Sequence, residues 1–297
     1  MKTAKTIAVI DIGSNSIRTM TAERTDGSFR FSDKCVHTTR LAEGLISTGL
    51  LSASRMQQSL DVIAAFANDC ATRSIPVYAY ATSAVRDAAN RDAFAQQIKA
   101  LIGDRLSILT GEEEAHNAWL AATCGCGGMI DIGGGSTQVV TEHFCKSFPM
   151  GCVRARDLCS SDEYEIIAAT LLPSLQQVIP LSGFDASVSW TGVGGTITTL
   201  CACCLELSEY DRNAVHGTIL SREALLQQLH ALSQLGDRRR EHPLLTKRHD
   251  VILQGGAILL YELDCLHADT IRVSDTDGLE GFAMQLLSAS AHGSIIL

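Results

Sequence analysis

Hydrophobic and polar positions along this chain follow two rhythms, and the switches between them outline its elements. Apolar residues 7–10 form a short strand-like run, and residues 17–23 and 28–37 read as further strands of a meander. Residues 52–71 change to helical spacing, with Met56, Leu60, Ile63, Phe66 and Cys70 on one stripe. A strand over 75–81, a helix over 87–102 stopped by Gly103, a strand over 106–109 and a helix over 112–122 follow. Cys124-Gly125-Cys126-Gly127-Gly128 is the most flexible stretch and predicts a boundary between domains 1–124 and 125–297. The second half restarts with strands over 128–132 and 138–144 and a helix near 162–178. A strand over 187–191 and a helix opening at Gly194-Gly195-Thr196 come next, then helices over 222–235 and 243–263 and a strand over 270–274. A terminal helix from near Asp277 to before His292 is expected to pack back on the first domain. Meanders followed by strand–helix alternation predict an α/β protein with mixed sheets flanked by helices.

The restart is also a repeat. Ile10-Asp11-Ile12-Gly13-Ser14-Asn15-Ser16 returns as Ile130-Asp131-Ile132-Gly133-Gly134-Gly135-Ser136, at an offset of 120 residues. A strand that ends in Asp-x-Gly and turns through small residues can present backbone N–H groups to phosphate oxygens. One copy alone would be ordinary hairpin chemistry. Two copies point to two related domains, each offering a phosphate-gripping turn to a shared cleft. As an equivalent pair, Asp11 and Asp131 suit Mg²⁺, held directly or through water, because that ion takes one or two carboxylates plus phosphate oxygens. The glycines Gly13, Gly133, Gly134 and Gly135 allow close approach of the backbone. Ser14, Asn15, Ser16, Ser136 and Thr137 can add side-chain hydrogen bonds.

Other segments carry chemistry of the same kind. Gly192-Val193-Gly194-Gly195-Thr196 joins a strand to a helix, and its free N–H groups form an anion site at the helix start. Arg86, just after a strand, can fork onto phosphate oxygens; a salt bridge to Asp87 or Asp92 is the plainer role. Glu112, Glu113 and Glu114 lie in a helix's first turn, where dipole complementarity alone would place them. One of them facing the cleft could instead take a proton from an attacking water.

Composition narrows the classes. The 297 residues suit two domains of about 150 each. A net charge of −9 argues against a nucleic-acid partner, although a local basic cleft can still hold a polyphosphorylated ligand. No apolar run approaches the roughly 18 residues of a membrane span, and Met1 to Thr6 lead straight into a strand, unlike a secretory signal. The expectation is a cytoplasmic protein. The eleven cysteines lack paired C-x-x-C zinc spacing, and Cys201 and Cys204 read as small buried hydrophobes.

Taken together, residues 11–16, 40–45, 82–90, 111–115, 131–137, 151–154, 192–196 and 248–252 resemble, in order, those of the exopolyphosphatase / guanosine pentaphosphate phosphohydrolase (Ppx/GppA) family. The resemblance runs from about residue 6 to 281. It implies an actin-like ATPase (ASKHA) fold of two ribonuclease-H-like domains with the active site between them, in a short form without further helical domains. It also implies release of orthophosphate from inorganic polyphosphate or guanosine pentaphosphate with Mg²⁺, or Mn²⁺ in its place, and it suggests a homodimer. Carried over residue by residue, Glu114 would be the general base, with Glu113 the next candidate. Arg86 would bind the phosphate chain, and Asp131 with its glycines would position metal and terminal phosphate. Arg40 and Glu43 would be structural or substrate contacts near the cleft. Two departures stand out. Gln138 replaces a family glutamate and cannot offer a negative charge. Ser274-Asp275-Thr276-Asp277-Gly278-Leu279-Glu280-Gly281 lacks the arginine of the family's C-terminal motif. The Gln138 exchange opens an alternative, a sensor that binds polyphosphate or guanosine penta-/tetraphosphate with little turnover. An actin-fold kinase would share the duplicated turns but not the 82–90 and 111–115 segments.

Overall fold

A computed structural model describes residues 5–25, 28–185 and 187–289. In chain order the elements are β1 (Lys5–Ile12), β2 (Ser16–Thr25), β3 (Ser28–Phe31), β4 (Cys35–Thr38), α1 (Leu45–Thr48), α2 (Ala53–Thr72), β5 (Val77–Ala81), α3 (Ser83–Asp87), α4 (Arg91–Ile102), β6 (Leu106–Ile108) and α5 (Gly111–Thr123). They continue as β7 (Gly128–Ile132), β8 (Thr137–Thr141), β9 (Phe144–Phe148), α6 (Cys152–Leu158), α7 (Tyr164–Val178), β10 (Trp190–Val193), α8 (Gly194–Cys204), α9 (Arg212–Val215), β11 (Ile219–Ser221) and α10 (Arg222–Gln234). A 3₁₀ turn (Gly236–Glu241), α11 (Ile252–Cys265), β12 (Thr270–Val273) and α12 (Gly278–Ala289) complete them. The expected end of the last helix, before His292, lies outside the described residues, as do Met1 to Ala4 of the N-terminal segment.

The chain divides into two compact units, Met1–Ala121 with Gly278–Leu297, and Ala122–Asp277. Among the described residues the first holds a sheet ordered β3-β2-β1-β5-β6, with β4 also paired to β2. Its β1 is antiparallel to β2 and parallel to β5, so it is central, and residues 7–12 are buried without a break. A strand covered on both faces reads as a continuous apolar run, which is why 7–10 carry no alternation. The second unit's sheet runs β11-β12-β10-β7-β8-β9, with β7 antiparallel to β8 and parallel to β10. Each sheet is thus an antiparallel three-stranded meander extended by two parallel strands on the far side of its first strand, with β11 added antiparallel at the edge of the second. This repeated α/β topology of two mixed sheets is the architecture expected from the duplicated turn.

Several boundaries differ from the sequence reading for local reasons. Residues 28–37 are two strands, β3 and β4, rather than one. The helix expected over 87–102 is broken at Ala88, which is extended. There the Asn90 amide pairs with the Leu51 backbone in both directions, at 3.0 and 2.9 Å, a side-chain claim that competes with helix continuation. The helix expected from 243 starts only at Ile252. Upstream, the buried Arg239 donates to the carbonyls of Leu232 and His249 and pairs with Asp162, which holds this stretch as turns.

α12 joins the first unit's core, where Leu279, Phe282, Ala283 and Leu287 pack with Ile7, Val9, Met20 and Tyr80. Glu280, without exposure, pairs with Lys34 at 2.9 Å. Gly281 rests on the Asn117 backbone of α5, where a methyl group would overlap the carbonyl. The core of the second unit gathers α7, α8, α10 and α11 around Ile130, Ile132 and Val139. No helix among the described residues is long and apolar enough to cross a membrane.

Candidate active site

In the first unit, β1 ends and the chain turns at once into β2. Gly13 N–H donates to Ser16 O at 3.1 Å, and a Cβ on Gly13 would stand 2.9 Å from that oxygen, so the turn needs glycine for space. Ser14 Oγ meets Ser83 Oγ at 3.0 Å, tying the turn to the start of α3. Asn15 and Ser16 are buried beside it. Asp11 sits directly across the ladder from Arg18, and cross-strand partners share a face. Arg18 Nε and Nη2 both donate to Asp11 Oδ2, the first at 2.8 Å. One oxygen of this carboxylate is therefore engaged by a guanidinium. Arg18 was not singled out from the sequence, though its seven-residue spacing from Asp11 across a tight turn is a readable signal.

The same unit brings Arg86 and Glu114 together. Arg86 Nη1 donates to Leu109 O at 2.9 Å and lies 4.0 Å from Glu114 Oε2, with Asp87 at 3.5 Å from its Nε. Glu113 faces elsewhere. Its carboxylate accepts from Thr110 N–H at 2.8 Å while Thr110 Oγ1 accepts from Glu113 N–H at 3.1 Å. This is a capping box, which ties that carboxylate to the helix start. Glu43 forms an ion pair with Arg55. Arg40 has a left-handed backbone (φ 51°) and its N–H donates to Asn15 O at 2.9 Å.

In the second unit the turn after Asp131 is built alike, with Gly133 N–H donating to Ser136 O at 3.0 Å. Here the residue across the ladder from Asp131 is Gln138, so the place Arg18 occupies in the first unit carries a neutral amide. Gln138 is 1% exposed, and its Nε2 donates to Ser136 Oγ at 2.9 Å and Ser147 Oγ at 3.3 Å. Its Oε1 is buried with no donor among the described residues. Thr137 spends its hydroxyl on Met150 O at 2.6 Å.

The third turn meets Asp131. Gly194 has φ +82°, and a methyl group there would overlap Asp131 Oδ1; one on Gly195 would overlap the Arg248 guanidinium. Carboxylate and guanidinium therefore lie on the backbone that opens α8, whose first N–H groups receive no side-chain cap. Thr196, buried, packs under Gly255 of α11. Arg248 is a residue whose place here the sequence did not specify, although its motif at 248–252 was part of the family resemblance.

The oxygen set around Asp131 suits a hard divalent ion. An aspartate with an unsatisfied amide oxygen across one rung offers the kind of donors Mg²⁺ takes. No three His, Cys, Asp or Glu side chains converge among the described residues. Within α11, Glu262 is wholly buried, and neither carboxylate oxygen finds a hydrogen-bond partner among the described residues. Burial first, and the charge of Asp131 second, hold its carboxyl well above the usual carboxylate range. Burial also raises the Cys201 and Cys204 thiols to about 11 and Cys203 to about 12, which keeps them protonated at neutral pH.

Two mixed sheets with a repeated Asp-x-Gly turn, and an uncapped helix start carrying an arginine, define a phosphate-handling α/β protein. Residues 8–289 match the model of the Ppx/GppA phosphatase family, and the chain belongs to that family. It is 31% identical to exopolyphosphatase 2 of Mycobacterium tuberculosis, across 94% of this chain and 98% of that one. It is also 31% identical to a guanosine-5'-triphosphate,3'-diphosphate pyrophosphatase of Vibrio vulnificus, across 95% of this chain but only 59% of that longer protein. A crystal structure of the Aquifex aeolicus member of the Ppx/GppA family superposes with a TM-score of 0.78 at 26% identity, covering 97% of this chain and 99% of the other. An exopolyphosphatase structure from Cytophaga hutchinsonii shares the fold, with a TM-score of 0.81 at 19% identity over 96% of this chain and 98% of that one.

Proposed function

We propose that this protein hydrolyses the terminal phosphoanhydride of inorganic polyphosphate or guanosine pentaphosphate, releasing orthophosphate. The observation that carries the reading is the Asp131 carboxylate lying with Arg248 on the uncapped start of α8, next to the second Asp-x-Gly turn. Backbone N–H groups and a guanidinium grip the equatorial oxygens of a phosphoryl group, and such reactions are accelerated by positioning and charge neutralisation. A divalent ion, when bound, neutralises charge on the phosphate oxygens. We assign Asp131 and Gln138 Oε1 to hold it, rather than the pair Asp11 and Asp131. Arg18 Nε and Nη2 both donate to Asp11 Oδ2 from across the ladder, whereas the residue across from Asp131 is Gln138, whose Oε1 can join the carboxylate in holding a cation. Glu114, held beside Arg86, orients the attacking water and takes its proton. Arg86 then adds positive charge near the phosphate chain.

The assay is orthophosphate release from long-chain polyphosphate and from guanosine pentaphosphate, side by side, with Mg²⁺ and with a chelator. Release from at least one substrate that stops on chelation is the expected result. Release that ignores the chelator removes the ion from the account. A second reading is favoured by Gln138, whose neutral amide stands opposite Asp131: a protein that binds these ligands and scarcely cleaves them. Tight, cation-dependent binding without release would select it.

A further inference from the structure

The two phosphate turns share a feature that their own residues do not provide. In each unit, the segment that follows the last strand paired to the meander's second strand (β4 on β2, β9 on β8) folds back and donates backbone hydrogen bonds to the turn's carbonyls. In the first unit, Thr39 and Arg40 N–H donate to Asn15 O at 3.1 and 2.9 Å, and Ala42 N–H donates to Ser14 O at 2.9 Å. In the second, Cys152 N–H donates to Gly133 O at 2.9 Å and Val153 N–H to Gly134 O at 2.8 Å. The donors differ in kind: a left-handed bend at Arg40 in one unit, and the first residues of α6 in the other. The outcome is the same.

A trans peptide is planar, with its C=O and N–H on opposite sides. Bonding Ser14 O inward therefore turns Asn15 N–H outward, and bonding Gly133 O and Gly134 O inward turns Gly134 N–H and Gly135 N–H outward. We infer that residues 39–42 and 151–153 are the positioning elements of the phosphate site, fixing which way the turn amides face before any ligand arrives. This rests on the reading that the turns hold phosphate.

The second buttress has the sharper test. Gly151 has φ −133°, a backbone that any residue adopts. A Cβ there would nevertheless stand 2.6 Å from Gly133 O, Gly134 C and Gly134 O. Glycine is required at 151 for contact with the turn and not for conformation. Cys152 opens α6, where an N–H has no partner inside the helix and proline is tolerated. Gly151 is extended, as a residue before proline must be. Cys152→Pro therefore replaces the bond to Gly133 O with a Cδ that pushes this oxygen away, at a helix position that tolerates proline, while Cys152→Ala keeps the bond, loses only the thiol beside Thr196 and Arg248, and serves as its control.

Two readouts are compared among wild type, Gly151→Ala, Cys152→Pro and Cys152→Ala: amide hydrogen exchange over 133–137, and the affinity for tripolyphosphate in Mg²⁺. In Gly151→Ala and Cys152→Pro, exchange at the turn should speed up while the β7 and α8 amides stay protected. Tripolyphosphate should bind about tenfold or more weakly, the scale of one misaligned charged hydrogen bond. Cys152→Ala should move both readouts far less than Cys152→Pro does. The inference is overturned if Cys152→Pro leaves either readout unchanged, or if Cys152→Ala moves both as far as Cys152→Pro does. Should Gly151→Ala not fold, the two Cys152 variants decide. Should wild type bind no polyphosphate at all, the functional reading falls, and the exchange comparison alone decides whether the buttress sets the turn.

Discussion

Glu113 and Glu114 are neighbours in one helical turn, and the structure separates them by what each carboxylate touches. Glu113 closes a capping box with Thr110, whereas Glu114 stands 4.0 Å from Arg86. Glu113→Ala should lower stability by about 1 kcal/mol, the usual worth of a cap, and leave phosphate release near the wild-type rate. Thermal unfolding and steady-state assays check both halves, and loss of turnover in that variant would return Glu113 to the chemistry. By residue chemistry alone the three adjacent glutamates look alike, because a helix dipole accounts for all of them, and only the family resemblance put Glu114 first. The hydroxyl of Thr110 breaks the tie. Glu262 is a second residue-scale case that the pattern hid, since it lies on an otherwise apolar stripe of α11. Its folded pKa is raised above the ordinary 4.5, so the native state holds that proton more tightly than the unfolded chain. The stabilising contribution is full below about 4.5 and is lost as pH rises toward the raised value. Glu262→Gln should therefore flatten the decline of stability on the alkaline side of pH 4.5. A denaturation series across pH that shows parallel curves for the two proteins would contradict it.

At the scale of elements, long periodic segments were legible and short ones only in part: β6 and β12 were expected, α1, α9 and β11 were not. The stripe from Met56 to Cys70 falls within α2, and the run 7–10 within β1. The four-residue helices α1 and α9, and the three-residue strand β11, are too short to show a period and are set by tertiary contacts. Where expected helices were misplaced, a polar side chain had claimed backbone groups: Asn90 on Leu51, and Arg239 on Leu232 and His249. α12 shows the opposite situation, a helix held by fit. Gly281 touches the Asn117 backbone so closely that a methyl group has no room. Gly281→Ala should cost about 1–3 kcal/mol, the range for overpacking a well-filled contact, measured as a lowered denaturation midpoint. An unchanged midpoint would mean that α12 shifts freely on α5.

For the whole molecule, the repeat at an offset of 120 residues was the most informative sequence feature, and the two sheets share the topology it implied. The repeat is not symmetric in charge. Across the ladder from the first aspartate stands Arg18, and across from the second stands Gln138. That asymmetry could be read from the sequence only by pairing positions seven residues apart across each turn, a register that depends on the turn's geometry. It divides the roles proposed here, with the base and its arginine in the first unit and the ion-binding oxygens in the second. The most direct test of that division is orthophosphate release by purified wild type and Glu114→Gln at saturating polyphosphate and Mg²⁺, with substrate affinity measured in parallel. The account predicts a loss of about a hundredfold or more in turnover, the contribution of a positioned general base, with affinity largely kept. Turnover in Glu114→Gln equal to wild type would contradict it.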